Sequence, residues 1–312
     1  MSDPVRVLGA GPAGLTAAIV LAKHGLEVEV YERQQRVGQR FHDDLQGLEN
    51  WTTEGDVLKE LAQTGIEVNF HCRPFLGGRI YNPSLKPLDV NSAKPVFYMV
   101  KRGISDASLD NGLAQQAIEA GVQLVFKKVM LKNEVDIVAT GPRGTRVIAA
   151  GITFKTDPRD RAYVMIGGNL APQGYTYLLV SDGLGTIATV VTPSGFNRIH
   201  ECLEGTIQTY RELLGIAIED PKRWGGYGNF GILSSAVEDG RICVGQAAGF
   251  QDFLFGFGIR IAMISGSLAA RSLIHGVDYD RLWKARFLAM MRTSRANRLM
   301  YGGLRTLAYN FL

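Results

Sequence analysis

Cysteine is scarce in this chain of 312 residues: only Cys72, Cys202 and Cys243 occur. None of the three stands in a CxxC pair. The simplest reading is a reducing compartment in which each thiol is structural, and hence a cytoplasmic protein. No run of eighteen apolar residues exists, so no transmembrane helix is expected. The first residues are neither basic nor followed by a cleavable apolar segment, which argues against a secretion signal. Repeats and low-complexity tracts are absent. A net charge of +4 is too small to argue for nucleic acid, and neither a zinc finger nor an RNA-binding motif accompanies it. No second His or Cys stands at ligand spacing from His42, so no metal site is expected. What remains is ordinary for a globular protein with a sizeable core, at 46% hydrophobic and 21% charged residues.

The strongest positive signal lies at the start. An apolar strand runs into three glycines in Val5-Arg6-Val7-Leu8-Gly9-Ala10-Gly11-Pro12-Ala13-Gly14, and a helix opens behind them. In such a turn Gly9 allows the tight reversal, Gly11 lets backbone approach a pyrophosphate, and Gly14 lets the helix pack close to the strand. The free N–H groups of the helix start then meet the diphosphate. A second strand, Glu27-Val28-Glu29-Val30-Tyr31-Glu32, ends on an acid about 20 residues further on, where a carboxylate can bind a ribose hydroxyl. Arg33 beside it is either an adenosine contact or a solvated charge. Strand, turn, helix, strand and acid in register predict a dinucleotide cradle.

Further along, strands at 96–100, 122–126 and 135–139 alternate with helices, which predicts a parallel, doubly wound sheet. A helix is expected over 53–62, with Thr52 or Thr53 as its N-cap. The stretch 41–51 is dense in groups that could face a ligand: His42, Asp43, Asp44 and Trp51. It also reads as a capped loop with a docking tryptophan. From Arg146 the pattern becomes β-rich and largely antiparallel. After a helix over 198–214 the chain returns to the first unit near residue 241. The fold class is therefore α/β, with a Rossmann-like domain of 1–70, 101–145 and 236–280. A substrate domain of 71–100 and 146–235 is inserted, and a helical segment of 281–312 follows. That last segment holds seven basic residues and no acidic one, interleaved with Trp283, Phe287, Tyr301, Tyr309 and Phe311. It reads either as a peripheral surface for anionic lipid or as a helical pair packed on the domain.

Three motifs together resemble the FAD-binding elements of flavoprotein oxidoreductases: the glycine turn with Glu32, Val244-Gly245-Gln246-Ala247-Ala248-Gly249, and Gly256-Phe257-Gly258. Gly174-Tyr175-Thr176-Tyr177-Leu178-Leu179-Val180, leading to Gly183-Leu184-Gly185-Thr186, resembles the substrate-domain motif of the geranylgeranyl reductase family. The resemblance covers most of residues 1–280. It implies FAD as cofactor, NAD(P)H as a transient donor, and saturation of double bonds in a hydrophobic, lipid-like substrate. Gly9, Gly11, Pro12, Ala13, Gly14, Glu32 and Arg33 would hold the diphosphate and adenosine. Gly245, Gln246, Gly256, Phe257 and Gly258 would lie beside the flavin, and Arg40 and Val129 join the cofactor set. Arg102, placed at the end of a parallel strand, either approaches the cofactor or makes an exposed salt bridge.

Trp51, Tyr175, Tyr177, Phe253 and Phe255 form the candidate substrate pocket, or else plain core. His42 and Tyr177 are the candidate proton donors. The chain also departs from the family. Gln246 replaces an expected carboxylate. The YxWxF motif appears as Tyr175-x-Tyr177-x-Leu179. His42, Asp43 and Asp44 stand where a cysteine is usual. Thr140-Gly141 replaces the Asp-Gly of aromatic hydroxylases, which weighs against a monooxygenase without removing it. A flavin-binding redox sensor or interaction protein is the third reading.

Overall fold

A computed structural model describes residues 3–303. Its α-helices are α1 (Pro12–Lys23), α2 (Val57–Gln63), α3 (Leu109–Glu119), α4 (Ile199–Leu214), α5 (Ile259–His275) and α6 (Tyr279–Gly303). Tyr309 and Phe311 lie outside the described residues.

Three sheets organise the chain. In the first, six strands run in the order Val237–Glu238, Arg241–Cys243, Ile137–Val138, Val5–Leu8, Val28–Glu32 and Gln123–Phe126. All its pairs are parallel except the edge hairpin between Val237–Glu238 and Arg241–Cys243. Its strands are short, and Val7, Val30, Ile137 and Val138 at its centre are buried, as expected when helices cover the faces. Helices α1 and α5 pack together closely: a Cβ on Gly266 would stand 2.1 Å from the Ala13 carbonyl oxygen. The small residues at the middle of α5 thus serve helix contact. The second sheet has seven strands and is antiparallel throughout, save for the parallel pair of Arg161–Ile166 with Gly77–Tyr81. Helix α4 covers one side of it through Leu203, Ile207 and Tyr210. The third sheet joins Asp44–Glu49, Phe97–Arg102 and Cys72–Phe75, all antiparallel. Leu45, Phe75 and Met99 of this sheet pack on Leu179 of the second.

Three local expectations are corrected. Residues 44–49 form a strand rather than a loop, because the distant strand Phe97–Arg102 pairs with them. For the same reason Arg102 ends an antiparallel strand, not a parallel one. Helix α2 begins at Val57 with Asp56 as its cap, its carboxylate accepting the Leu58 N–H at 2.9 Å. Thr53 instead donates to the Asn50 carbonyl at 2.7 Å and Thr52 to Glu49 at 3.0 Å, so both belong to the preceding turn. Among the described residues the C-terminal segment is a single helix, α6, packed on the domain. Trp283, Phe287 and Met291 recur every fourth residue along α6 and are buried against Phe250.

Trp283 is fully buried, so Trp283→Ala is expected to cost about 3–5 kcal/mol of unfolding free energy. Denaturant melts would read it as a lowered midpoint. A variant as stable as the parent would show that α6 is only loosely attached.

Candidate active site

The glycine turn is held from behind and open in front. Gly9 has φ +106, and a Cβ there would lie 2.4 Å from the Ala139 carbonyl oxygen. A Cβ on Gly14 would lie 2.0 Å from the Gly9 oxygen. Neither position tolerates a side chain. At Gly11, by contrast, no protein atom lies within 4 Å of a built Cβ. That space lies at the N-cap of α1, where no side chain caps the free N–H groups. Glu32 sits beside the turn. One of its oxygens accepts the Ala10 N–H at 3.0 Å and the other the Gln34 N–H at 2.9 Å. Each oxygen keeps a lone pair for a ribose hydroxyl. This donor set and open space fit a dinucleotide.

A single cavity of about 820 Å³ extends from this cradle. It is lined by the cradle residues Gly9, Gly11, Pro12, Ala13, Glu32 and Arg33, with Arg40 and Val129. Gly245, Gln246, Gly256, Phe257 and Gly258 also line it, as do Trp51, Tyr175, Tyr177 and Phe255. Arg102 and His42 also line it. Two of the expected residues do not. Gly14 faces the strand. Phe253 is buried in the core against Phe230, their ring centres 4.9 Å apart, because Ser294 of α6 accepts its backbone N–H at 2.8 Å and draws the loop inward.

Gln246 has a structural reason. Its oxygen faces the Arg40 guanidinium at 3.4 Å, and its amide donates to Gln251 at 2.5 Å. Gln251 in turn donates to the Gly256 carbonyl at 2.6 Å. A carboxylate at position 246 could accept from Arg40 but could not donate to Gln251. The turn at Gly256 is held from the other side by Asp252. One of its oxygens accepts the N–H groups of Leu254, Phe255 and Gly256 at 3.1, 2.5 and 3.1 Å. The exposed salt bridge considered for Arg102 is corrected to a buried one. Its guanidinium is paired in two places with Asp110 at 2.8 and 2.9 Å, with side chains 6% and 2% exposed. It also lies 4.0 Å from the centre of the Phe41 ring.

The far wall is aromatic. Trp51 meets Phe257 edge-on at 4.6 Å between ring centres, and Tyr175 meets Phe255 in the same way at 5.5 Å. The Tyr175 hydroxyl donates to the Phe255 carbonyl. Burial pushes the Tyr177 phenol well above its ordinary pKa, and the nearby Asp44 and Tyr175 add to the shift. Asp44 lies in the same cavity and is 1% exposed. Burial raises its pKa, partly opposed by the His42 N–H, the Gln46 amide and the Arg102 charge. Asp43 turns the other way, with φ +59, and accepts the Ser105 N–H at 3.0 Å. The sequence marked the two aspartates alike; only the backbone at position 43 separates them. Trp224 and Gln251, absent from the expected set, also line the cavity. The glycines around Trp224 and the proximity of Gln251 to Gly256 were their only signals.

Residues 7–50 match the family model of the NAD(P)-binding Rossmann-like domain. Over its length the chain is 24% identical to digeranylgeranylglycerophospholipid reductase of Methanocaldococcus jannaschii, covering 90% of this chain and 82% of that protein. The first such reductase of Methanothermobacter thermautotrophicus is 25% identical, over 89% and 81%. Among solved structures, the geranylgeranyl bacteriochlorophyll reductase-like protein of Thermoplasma acidophilum superposes with a TM-score of 0.75 at 21% identity, covering 99% of this chain and 89% of that one. The chain has the geranylgeranyl reductase-like fold. That fold is shared more widely: the myxobacterial chondrochloren halogenase, an FAD-dependent halogenase, superposes with a TM-score of 0.66 at 18% identity, over 94% and 80%. The resemblance read from the motifs therefore holds along the chain, and the reductase-like fold accounts for the cradle, the late glycine turn and the sheet that closes the cavity.

The geometry separates two glycines that look alike in the motif. Gly11→Ala is expected to cost the apoprotein no more than about 1 kcal/mol, since Ala is a poorer N-cap than Gly but fills only open space. It should weaken FAD binding at least tenfold. Gly14→Ala should cost about 1–3 kcal/mol by overpacking. Thermal melts of the apoprotein and flavin-fluorescence titration would check both. Equal FAD affinity in Gly11→Ala and the parent would remove the phosphate role from this turn.

Proposed function

We propose that the protein is an FAD-dependent reductase that saturates carbon–carbon double bonds in a hydrophobic, isoprenoid-like substrate, using electrons from NADPH or NADH. The observation that carries this reading is the continuity of one cavity from a dinucleotide cradle to an aromatic wall. Bound flavin supplies two-electron hydride chemistry, and the protein supplies position and electrostatics. Gly9, Gly11 and the start of α1 take the diphosphate, and Glu32 takes the adenosine ribose. Arg40 and Gln246 face the chain that joins the two halves of the cofactor. The start of α5, beyond Gly256, turns its positive end toward the redox ring and favours negative charge there. Trp51, Tyr175, Tyr177 and Phe255 offer an apolar surface that excludes water from the reacting bond. On the outer face of α6, Arg292, Arg295, Leu299 and Met300 are exposed. They supply cationic and apolar groups for contact with the membrane from which such a substrate is collected.

The halogenase likeness keeps a second reading in view, that of a flavin monooxygenase or halogenase, because the same fold serves oxygen chemistry. Relatives named as reductases along nearly the whole chain favour the first. Anaerobic reduction followed by substrate addition decides between them. Purified protein loaded with FAD should bleach with NADPH or NADH, and geranylgeraniol should then restore the oxidised spectrum without oxygen. Reoxidation that requires oxygen, with a hydroxylated product, would overturn the reductase reading.

A further inference from the structure

Adding hydrogen across a double bond needs a proton as well as a hydride, and His42, Asp44, Tyr175 and Tyr177 are titratable groups lining the cavity. The Tyr175 hydroxyl is committed to the Phe255 carbonyl. His42 is exposed. Burial, with smaller contributions from Asp44 and Tyr175, raises the pKa of the Tyr177 phenol. Asp44 differs from these in how its acidic group is held. It stands on the edge of the third sheet, two residues from Gln46, so the two side chains share one face of the strand and both line the cavity. Leu45, between them, points to the opposite face and packs on Phe75 and Met99. The carboxyl is fixed at both oxygens: one accepts the His42 N–H at 3.0 Å and the other the Gln46 amide at 2.7 Å. Both bonds are donated to Asp44, and neither supplies an acceptor for a carboxylic proton. A protonated Asp44 thus presents its O–H without a protein acceptor, in a cavity wall, in a fixed orientation.

We propose that Asp44 is the acid that delivers the proton to the substrate double bond. The inference rests on the reductase reading above. The hydride and its two electrons come from reduced flavin and form a C–H bond at one alkene carbon. The π pair takes the proton of Asp44 at the other carbon. The alkene is reduced, the flavin is oxidised, and Asp44 is left as a carboxylate that regains a proton from water through the cavity mouth. The charged and titratable side chains acting on Asp44 are Arg102 from the adjoining strand and Tyr177 from the antiparallel sheet; His42 acts through its backbone N–H. Arg102 is already committed to Asp110, which limits its pull on the Asp44 proton. Desolvation is the largest influence on Asp44 and keeps it protonated to higher pH than an exposed aspartate.

The test compares Asp44→Asn and Asp44→Glu with the parent, each loaded with FAD and reduced by dithionite without oxygen. Reoxidation by geranylgeraniol in detergent should slow by about 100-fold or more in Asp44→Asn and recover in part in Asp44→Glu. Reoxidation by ferricyanide, which takes electrons only, should be unchanged in both. A second readout needs no flavin. The folded state of the parent holds a proton that the unfolded chain releases near pH ~3.9. Its stability should therefore fall, relative to Asp44→Asn, as pH rises from about 4 through the raised folded value. Apoprotein melting temperatures across that range would show a difference that changes with pH. A parental rate in Asp44→Asn, or a melting difference independent of pH, overturns the acid role. A parent that leaves geranylgeraniol unreduced overturns the reductase reading together with it.

Discussion

The contact on which the site depends is made of backbone. Where Val5–Leu8 runs into Gly9, the carbonyl of Ala139 and the start of α1 close in until no Cβ fits at Gly9 or Gly14. That closeness sets the direction of α1, and with it the place where its free N–H groups point. The Ala139 N–H donates to the Leu8 carbonyl at 2.7 Å, so the next parallel strand is locked to the same turn. The cradle is therefore a consequence of strand–helix packing, and the open space at Gly11 is what that packing leaves.

Around this turn the remaining elements are tied by charge in places where charge is expensive. Arg260 lies in the first turn of α5, a position the helix dipole disfavours for a cation. It is nearly buried and bonds Glu49 at 3.1 Å and Glu60 at 2.8 Å. Glu60 also meets Arg286 of α6. One network thus joins α2, α5, α6 and the strand that carries Asp44 and Gln46. Buried ion pairs of this kind contribute little net stability, but removing one member leaves an uncompensated charge at a cost of about 3–5 kcal/mol. Their effect here is on position: they set the strand of Asp44 against the turn at Gly256. Arg286 and Arg298 of α6 are accordingly part of the packing, since Arg298 also reaches the Gln173 carbonyl at 2.6 Å, whereas Arg292 and Arg295 are exposed.

The cavity joins two chemical environments. Toward the cradle it offers glycine backbone, Glu32 and arginines, suited to a polar dinucleotide. Toward the second sheet it offers Trp51, Tyr175, Tyr177 and Phe255, suited to hydrocarbon. Asp44 and Gln46 sit between, on a strand whose other face holds the buried Leu45 and the Glu49 that pairs with Arg260. A carboxyl retained in such a place carries a desolvation cost that plain packing would avoid, which is the pattern expected of a group kept for chemistry.

The sequence by itself determined the dinucleotide cradle, the alternation of a parallel with an antiparallel sheet, and the late return of the chain at Gly245 and Gly256. Each rests on local spacing: glycines at fixed intervals, period-two apolar runs, an acid at a strand end. Tertiary structure alone decided what those patterns could not carry. The strand at 44–49 exists because a distant strand pairs with it. Arg102 is buried because Asp110 lies on the helix packed beside it. Phe253 leaves the pocket because α6 holds its backbone. Asp44 and Asp43 are neighbours of the same type, and only the left-handed backbone at Asp43 and the pleat of the following strand send one to Ser105 and the other into the cavity. Pairing partners and burial are set by contacts across the whole chain, and no window of residues contains them.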